Sequence, residues 1–227
     1  RSEGDMLRRR NESYIHETLT AKEVPNIVKY EGYVLTDETY SIVMEYIPRT
    51  LASMIDEGDK SKVTEQQSLK LFSDVTRAVA GMHALQIVHR DIKDTNVLVS
   101  SDMTAKLSDF GFAVEMRKPL EVTCGTLGWA APELFLSYCG GPCFGQTYTE
   151  KVDIYSLAVL GWQCMEWKVP ENDPKILMSS SVEKYCEFSR CPPKLAGLIG
   201  RGWLSDPAQR PSASAFLAEL QDPSILS

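Results

Sequence analysis

The residues with the clearest chemical potential lie in one short run and one position beyond it. Between positions 88 and 98 the chain reads Val-His-Arg-Asp-Ile-Lys-Asp-Thr-Asn-Val-Leu, and Asp109 follows Asp91 by eighteen positions. Carboxylates such as Asp91 and Asp109, an amide such as Asn96 and an ammonium such as Lys93 are groups that hold protons, hard cations or phosphate charge. The same aspartates could also be ordinary turn residues. A second candidate is the pair Cys139 and Cys143, which reads as a metal half-site, a disulfide or two thiols. A structural zinc site normally draws on two such pairs or on nearby histidines, and the histidines are His16, His83 and His89. Free thiols in a reducing cytosol are the expectation.

Four further runs follow in a fixed order. They are Asp109-Phe110-Gly111; the stretch 125–133, Gly-Thr-Leu-Gly-Trp-Ala-Ala-Pro-Glu; Asp153-Ile154-Tyr155-Ser156; and 203–211, Trp-Leu-Ser-Asp-Pro-Ala-Gln-Arg-Pro. A lone tripeptide occurs by chance, whereas an ordered set of five does not. The set resembles the eukaryotic protein kinase catalytic domain of Ser/Thr type, with a tyrosine-kinase-like flavour at Trp129 and Trp203. The likeness runs from helix C to the final helix.

The resemblance implies a reaction in which ATP gives its γ-phosphate to a protein hydroxyl with Mg2+ bound. Such transfer has a loose, charge-rich transition state that a protein serves by positioning groups and neutralising charge. Asp91 would orient the hydroxyl and accept its proton, Lys93 would steady the γ-phosphate, and Thr126 would bond Asp91 and shape the substrate platform. Asn96 and Asp109 would hold magnesium. The stretch 42–47 would lead into the hinge, with Met44 as gatekeeper and the backbone of Glu45 and Ile47 facing adenine; Leu98 would form the pocket floor. Glu12 is assigned as the helix C glutamate, with Glu17 the competitor, and His16 then falls where the family packs an apolar residue on Phe110. Glu133 and Arg210 would form an internal salt bridge, Asp153 would hold the catalytic loop, and His89 would be structural. Arg90 suggests control by phosphorylation at Thr123, or charge mimicry by Glu121, Val122 standing at the usual acceptor position.

These residues need a frame. With 227 residues, 43% of them apolar, the chain can bury one substantial core or two small lobes around a cleft. The net charge of −7 argues against nucleic-acid binding. The stretch 154–167 is too short for a membrane span and is interrupted by Ser156, Gln163 and Glu166, so it reads as a buried helix. The segment 6–22 reads as a helix with an apolar stripe of Tyr14, Ile15 and Leu19. The runs 27–35 and 40–46 read as strands of a hairpin that Pro48 closes. Thr64 with Gln67 is a capping box for a long amphipathic helix, and further helices are expected at 152–167, 195–203 and 212–220.

The fold expected is α+β and bilobal: residues 1–48 a partial N-lobe with helix C, strands and hinge, residues 49–227 a mainly helical C-lobe. A glycine-rich loop and a lysine to pair with Glu12 do not occur in the sequence, and the expectation is that they lie upstream of Arg1. A cytoplasmic, ATP- and Mg2+-dependent Ser/Thr kinase acting on protein substrates is the leading reading. The alternative is a catalytically impaired fragment or pseudokinase serving as an interaction module.

Overall fold

The structure is a computed structural model that describes residues 3–36, 39–58, 63–116, 124–134, 148–170 and 186–227. The first helix, α1 (Glu3–Ala21), buries Ile15 and Leu19, while Tyr14 is half exposed and leaves the expected stripe. Val24 leads away from it and packs over Gly81, where a Cβ would come within 2.6 Å of the valine Cγ1. Strands β1 (Tyr30–Leu35) and β2 (Tyr40–Met44) form an antiparallel hairpin. Both are shorter than their apolar runs. At the front end, Ile27 and Val28 are buried and turn to the backbone of Leu107, which accepts from Val28 N at 3.0 Å, so they join the segment around Leu107 instead of the hairpin.

Pro48 does not end the strands. A two-residue strand, β3 (Arg49–Thr50), follows at once, and Thr50 caps the short helix α2 (Leu51–Asp56) in a reciprocal box with Ser53. Helix α3 (Glu65–Ala84) begins at the expected box: Gln67 N donates to Thr64 Oγ1 and Thr64 N donates back to Gln67 Oε1. This satisfies two orphan amides at the helix start. Its apolar face, Leu71, Phe72, Val75, Val79 and Met82, is fully buried.

The segment between α3 and residue 116 is built from short pieces: β4 (Ile87–Val88), a 3-10 turn (Asp94–Asn96), β5 (Val97–Val99), β6 (Ala105–Leu107) and β7 (Val114–Glu115). They make two small antiparallel sheets, β3-β5-β6 and β4-β7. Further helices among the described residues are α4 (Lys151–Glu166), α5 (Pro193–Gly202) and α6 (Ala213–Leu220), with a 3-10 turn at Pro207–Gln209.

Helix α4 is buried all round, from Val152 to Glu166, as its near-continuous apolar sequence requires. Two glycines permit this. A Cβ at Gly161 would meet the Phe72 ring at 2.5 Å, and one at Gly202 would meet Ala158 Cβ at 2.6 Å, so α3 and α5 approach α4 where a side chain is missing. The indole of Trp162 donates to Glu187 O and that of Trp167 to Ser68 Oγ, pinning the far end of α4. Among the described residues, no helix is long and apolar enough to cross a membrane.

Candidate active site

Helix α4 fixes the catalytic loop through its first turn. Asp153, wholly buried, accepts His89 N on Oδ2 and Arg90 N on Oδ1, both at 2.8 Å, and His83 Nε2 lies 2.9 Å from Oδ2. Burial alone would raise this carboxyl; the His83 bond, the nearby imidazoles and the His89 amide outweigh it and hold it below the usual range. The loop needs such an anchor, because Arg90 sits at φ 70, a conformation costly for a non-glycine residue.

Asp91 follows, almost fully buried, and gathers the expected neighbours. Thr126 Oγ1 donates to Asp91 Oδ1 at 2.6 Å, and Lys93 Nζ lies 2.8 Å from Asp91 Oδ2 and donates to Thr126 Oγ1 at 2.8 Å. Asn96 Nδ2 donates to the Asp91 carbonyl at 2.9 Å and to Oδ2 at 3.2 Å. Asp91, Lys93, Asn96 and Thr126 therefore form one polar cluster.

Asp109 is tied to that cluster through the backbone: Ser108 N and Oγ both donate to Asn96 O at 2.9 Å, and His89 Nε2 bonds Ser108 O. Its φ of 61 turns the chain sharply, its side chain is exposed, and Gly111 N donates to its Oδ1. Phe110 points inward into a column of rings, with His89 and His16 centroids 5.4 and 4.8 Å away and Tyr30 beyond His16. His16 thus occupies the place expected for an apolar residue. Its ring packs as one would, and its Nε2–H donates to Val28 O at 2.6 Å; burial lowers its pKa.

Glu12 reaches the same turn. A Cβ on Gly111 would lie 3.5 Å from Glu12 Oε2, whereas Glu17 faces solvent. Burial and then the Asp109 charge raise the Glu12 carboxyl, opposed by Arg9 and Arg8.

In the expected nucleotide segment, β2 ends at Met44 and residues 45–48 have no regular secondary structure. Met44 ends β2 opposite Tyr30 and is partly exposed. Glu45 is held by Lys106, at 2.7 and 2.8 Å, and by Lys29 N. Burial would raise its carboxyl, but these contacts pull it down. Lys106 pairs in register with Leu98 on the central strand β5, so it joins the Glu45 segment to the Leu98 strand. The motifs gave no sign of this lysine.

Other residues escaped the sequence reading although their signal was visible. The three polar interruptions of α4 each hold a loop. Ser156 Oγ donates to Trp129 O. Gln163 accepts from Trp129 Nε1 at 2.6 Å and donates to Asp94 Oδ2 at 3.0 Å, bridging platform and catalytic loop. Burial raises the Asp94 carboxyl, with Gln163 opposing. Glu166 accepts from Ser189 N, Ser189 Oγ, Arg190 N and Cys191 N.

Glu133 and Arg210 form the expected salt bridge, and the structure shows it to be bidentate, at 2.6 and 2.9 Å, with the arginine buried. Arg90 donates through Nε to Phe112 O and through Nη1 to Tyr148 OH. Residues 121–123, Cys139 and Cys143 lie outside the described residues. Among those described, no group of three or more His, Cys, Asp or Glu is arranged to hold a metal.

This geometry agrees with the chain's relationships. The chain belongs to the protein kinase domain family, whose pattern it matches over residues 2–220. It is 33% identical over 200 residues to the probable serine/threonine-protein kinase drkD of Dictyostelium discoideum, covering 85% of this chain and 15% of that protein. It is 31% identical over 202 residues to serine/threonine-protein kinase PAK 4 of Mus musculus, covering 85% and 32%. With serine/threonine/tyrosine-protein kinase HT1 of Arabidopsis thaliana it shares 28% over 210 residues, covering 87% and 50%. The chain thus spans half or less of the length of these relatives.

Proposed function

We propose that this chain carries the transfer chemistry of a protein kinase that phosphorylates Ser/Thr hydroxyls with ATP and Mg2+. The observation that carries the reading is the Asp91 cluster. One carboxylate oxygen takes the Thr126 hydroxyl and the other faces Lys93 and Asn96, with Asp91, Lys93 and Asn96 on a loop clamped by Asp153 and Thr126 reaching it from the 125–133 stretch. A carboxylate so held is a fixed proton acceptor for an incoming hydroxyl. Lys93, partly exposed between Asp91 and Thr126, offers its charge to the transferring phosphate.

The residues also suit magnesium. Asn96 commits its amide nitrogen to Asp91, which leaves Oδ1 as an oxygen ligand, and the exposed Asp109 carboxylate follows directly on Ser108, which bonds Asn96 O. An amide and a carboxylate oxygen are the donors a hard cation takes. Bound magnesium would supply charge neutralisation for the phosphates. In this reading the backbone of Glu45 and Ile47 contacts adenine, Met44 and Leu98 line its pocket, and Glu12 is the helix C glutamate that pairs with a phosphate-contacting lysine. Residues 1–48 and 49–227 form the two lobes. Relatives named as Ser/Thr kinases and Lys93 two positions after Asp91 favour Ser/Thr over Tyr, protein substrates fit the 125–133 platform, and the cell compartment proposed is the cytoplasm.

The test is Mg2+-dependent transfer of radiolabelled phosphate from ATP to a generic protein, with phosphoamino-acid analysis. Asp91→Asn should lower turnover by about 10²- to 10⁴-fold with the fold intact. A wild-type chain that neither transfers phosphate nor binds ATP would instead be an interaction module.

A further inference from the structure

Three successive carbonyls follow the Asp109 turn, and each is taken by a side chain from elsewhere. Arg8 Nε donates to Gly111 O at 2.9 Å, Arg90 Nε to Phe112 O at 2.7 Å, and Asn11 Nδ2 to Ala113 O at 3.2 Å. The Arg8 guanidinium also lies 4.0 Å over the Phe112 ring. Two of the three donors belong to α1 and stand one turn and one residue before Glu12, on the side of the helix that reaches the Asp109 turn. The segment they hold is a tight turn, closed by Ala113 N on Phe110 O at 2.9 Å, and it follows directly on a residue at positive φ.

We infer that Arg8 and Asn11 are positioning residues: they clamp the backbone at 111–113 and so set where Asp109 presents its carboxylate to a divalent cation. This rests on the assignment of Asp109 as a metal ligand. The physical argument is one of rigidity. A non-glycine residue in the left-handed region stays there only if its surroundings hold it. On the inner side Phe110 is held by the ring column. On the outer side, among the described residues, the local bond from Gly111 N to Asp109 Oδ1 is joined by the three donors, of which Arg8 and Arg90 are charged and make the stronger kind of bond. A shift of α1 would therefore move the metal-binding carboxylate directly, through neutral backbone oxygens and without a phosphate or acidic side chain as intermediary.

The arrangement calls for the arginine shape as well as its charge. The guanidinium must donate from Nε to Gly111 O while its Cζ stays over the Phe112 ring, which a lysine ammonium cannot reproduce.

The experiment uses the whole chain with Arg8→Ala, Asn11→Ala, the double variant and Arg8→Lys. Amide hydrogen exchange should quicken by about ten-fold or more at 112–116 in the double variant and stay unchanged in α4. In phosphotransfer assays the half-saturating Mg2+ concentration should rise about ten-fold, with the KM for protein substrate within two-fold of wild type, and Arg8→Lys should not restore it. Unchanged exchange at 112–116 in the double variant, or full restoration of Mg2+ dependence by Arg8→Lys, overturns the clamp. Asp109→Asn separates the two ideas. If it leaves Mg2+ dependence intact, or if the wild type transfers no phosphate, the metal assignment fails, and the exchange measurement still decides the clamp.

Discussion

Asp91 shows how few contacts it takes to prepare a side chain. Its two oxygens face different donors, and removing one should matter more for turnover than for stability. Thr126→Ala deletes the 2.6 Å bond to Oδ1 and should lower kcat by about ten- to a hundred-fold, whereas Thr126→Ser, which keeps the hydroxyl, should stay within a few-fold. Glu166 gives a prediction in pH. Burial would raise its carboxyl, but bonds from Ser189, Arg190 and Cys191 outweigh that and hold it below the ordinary 4.5. A folded-state value below the unfolded one contributes stability above the unfolded value that is lost as pH falls through the folded one. Glu166→Gln should therefore weaken the fold at neutral pH and flatten the loss of stability between about pH 5 and 3, as read by urea titration. The Asp91, Asn96 and Asp109 motifs were legible because their order and spacing along the chain are regular. Arg8, Asn11 and Lys106 were not, because their partners lie on segments far away in sequence. Gln163 stood in between: a polar residue inside a buried apolar run had to have a partner, but nothing local said which.

At the scale of elements, what can be read from sequence depends on whether the forces are local. The Thr64–Gln67 box announced α3 because its whole hydrogen-bond cycle closes within four residues. The start of β1 was misjudged for the opposite reason: Ile27 and Val28 have strand character, but burial against Leu107 takes them out of the hairpin. The meeting of α3 and α4 at Gly161 is equally silent in sequence. Gly161→Ala, by pressing on the Phe72 ring, should cost about 2 kcal/mol, seen as a fall in Tm of about 4–8 °C. The bond from Arg210 to Glu133 joins the platform to the turn before α6. Glu133→Gln leaves the buried guanidinium without its charge partner and should cost about 3 kcal/mol in chemical denaturation, whereas well-packed apolar replacement of both residues should cost less.

Over the whole molecule the α+β class followed from the order of elements, but the hierarchy among them did not. One buried helix, α4, ties down the catalytic loop through Asp153 and Gln163, the platform through Ser156 and Gln163, and the loop at 189–191 through Glu166. These three loops should unfold as a unit, with coincident transitions in denaturant. The hairpin is otherwise placed: among the described residues it has two strands, it exposes Tyr33, Val34 and Leu35, and it meets the rest through α1 and through Glu45, just past β2, which Lys106 holds. The tryptophans all fall on the α4 side of this line. The chain has four, and all are buried around α4: Trp162 within it, Trp167 at its end, Trp129 bonded to Gln163, and Trp203 beside Gly202, which abuts Ala158. Intrinsic emission from this protein should accordingly be blue-shifted, should report the melting of the α4 assembly, and should stay dark to any loosening of α1 or the hairpin; an optical probe for the clamp end of the molecule has to be added there.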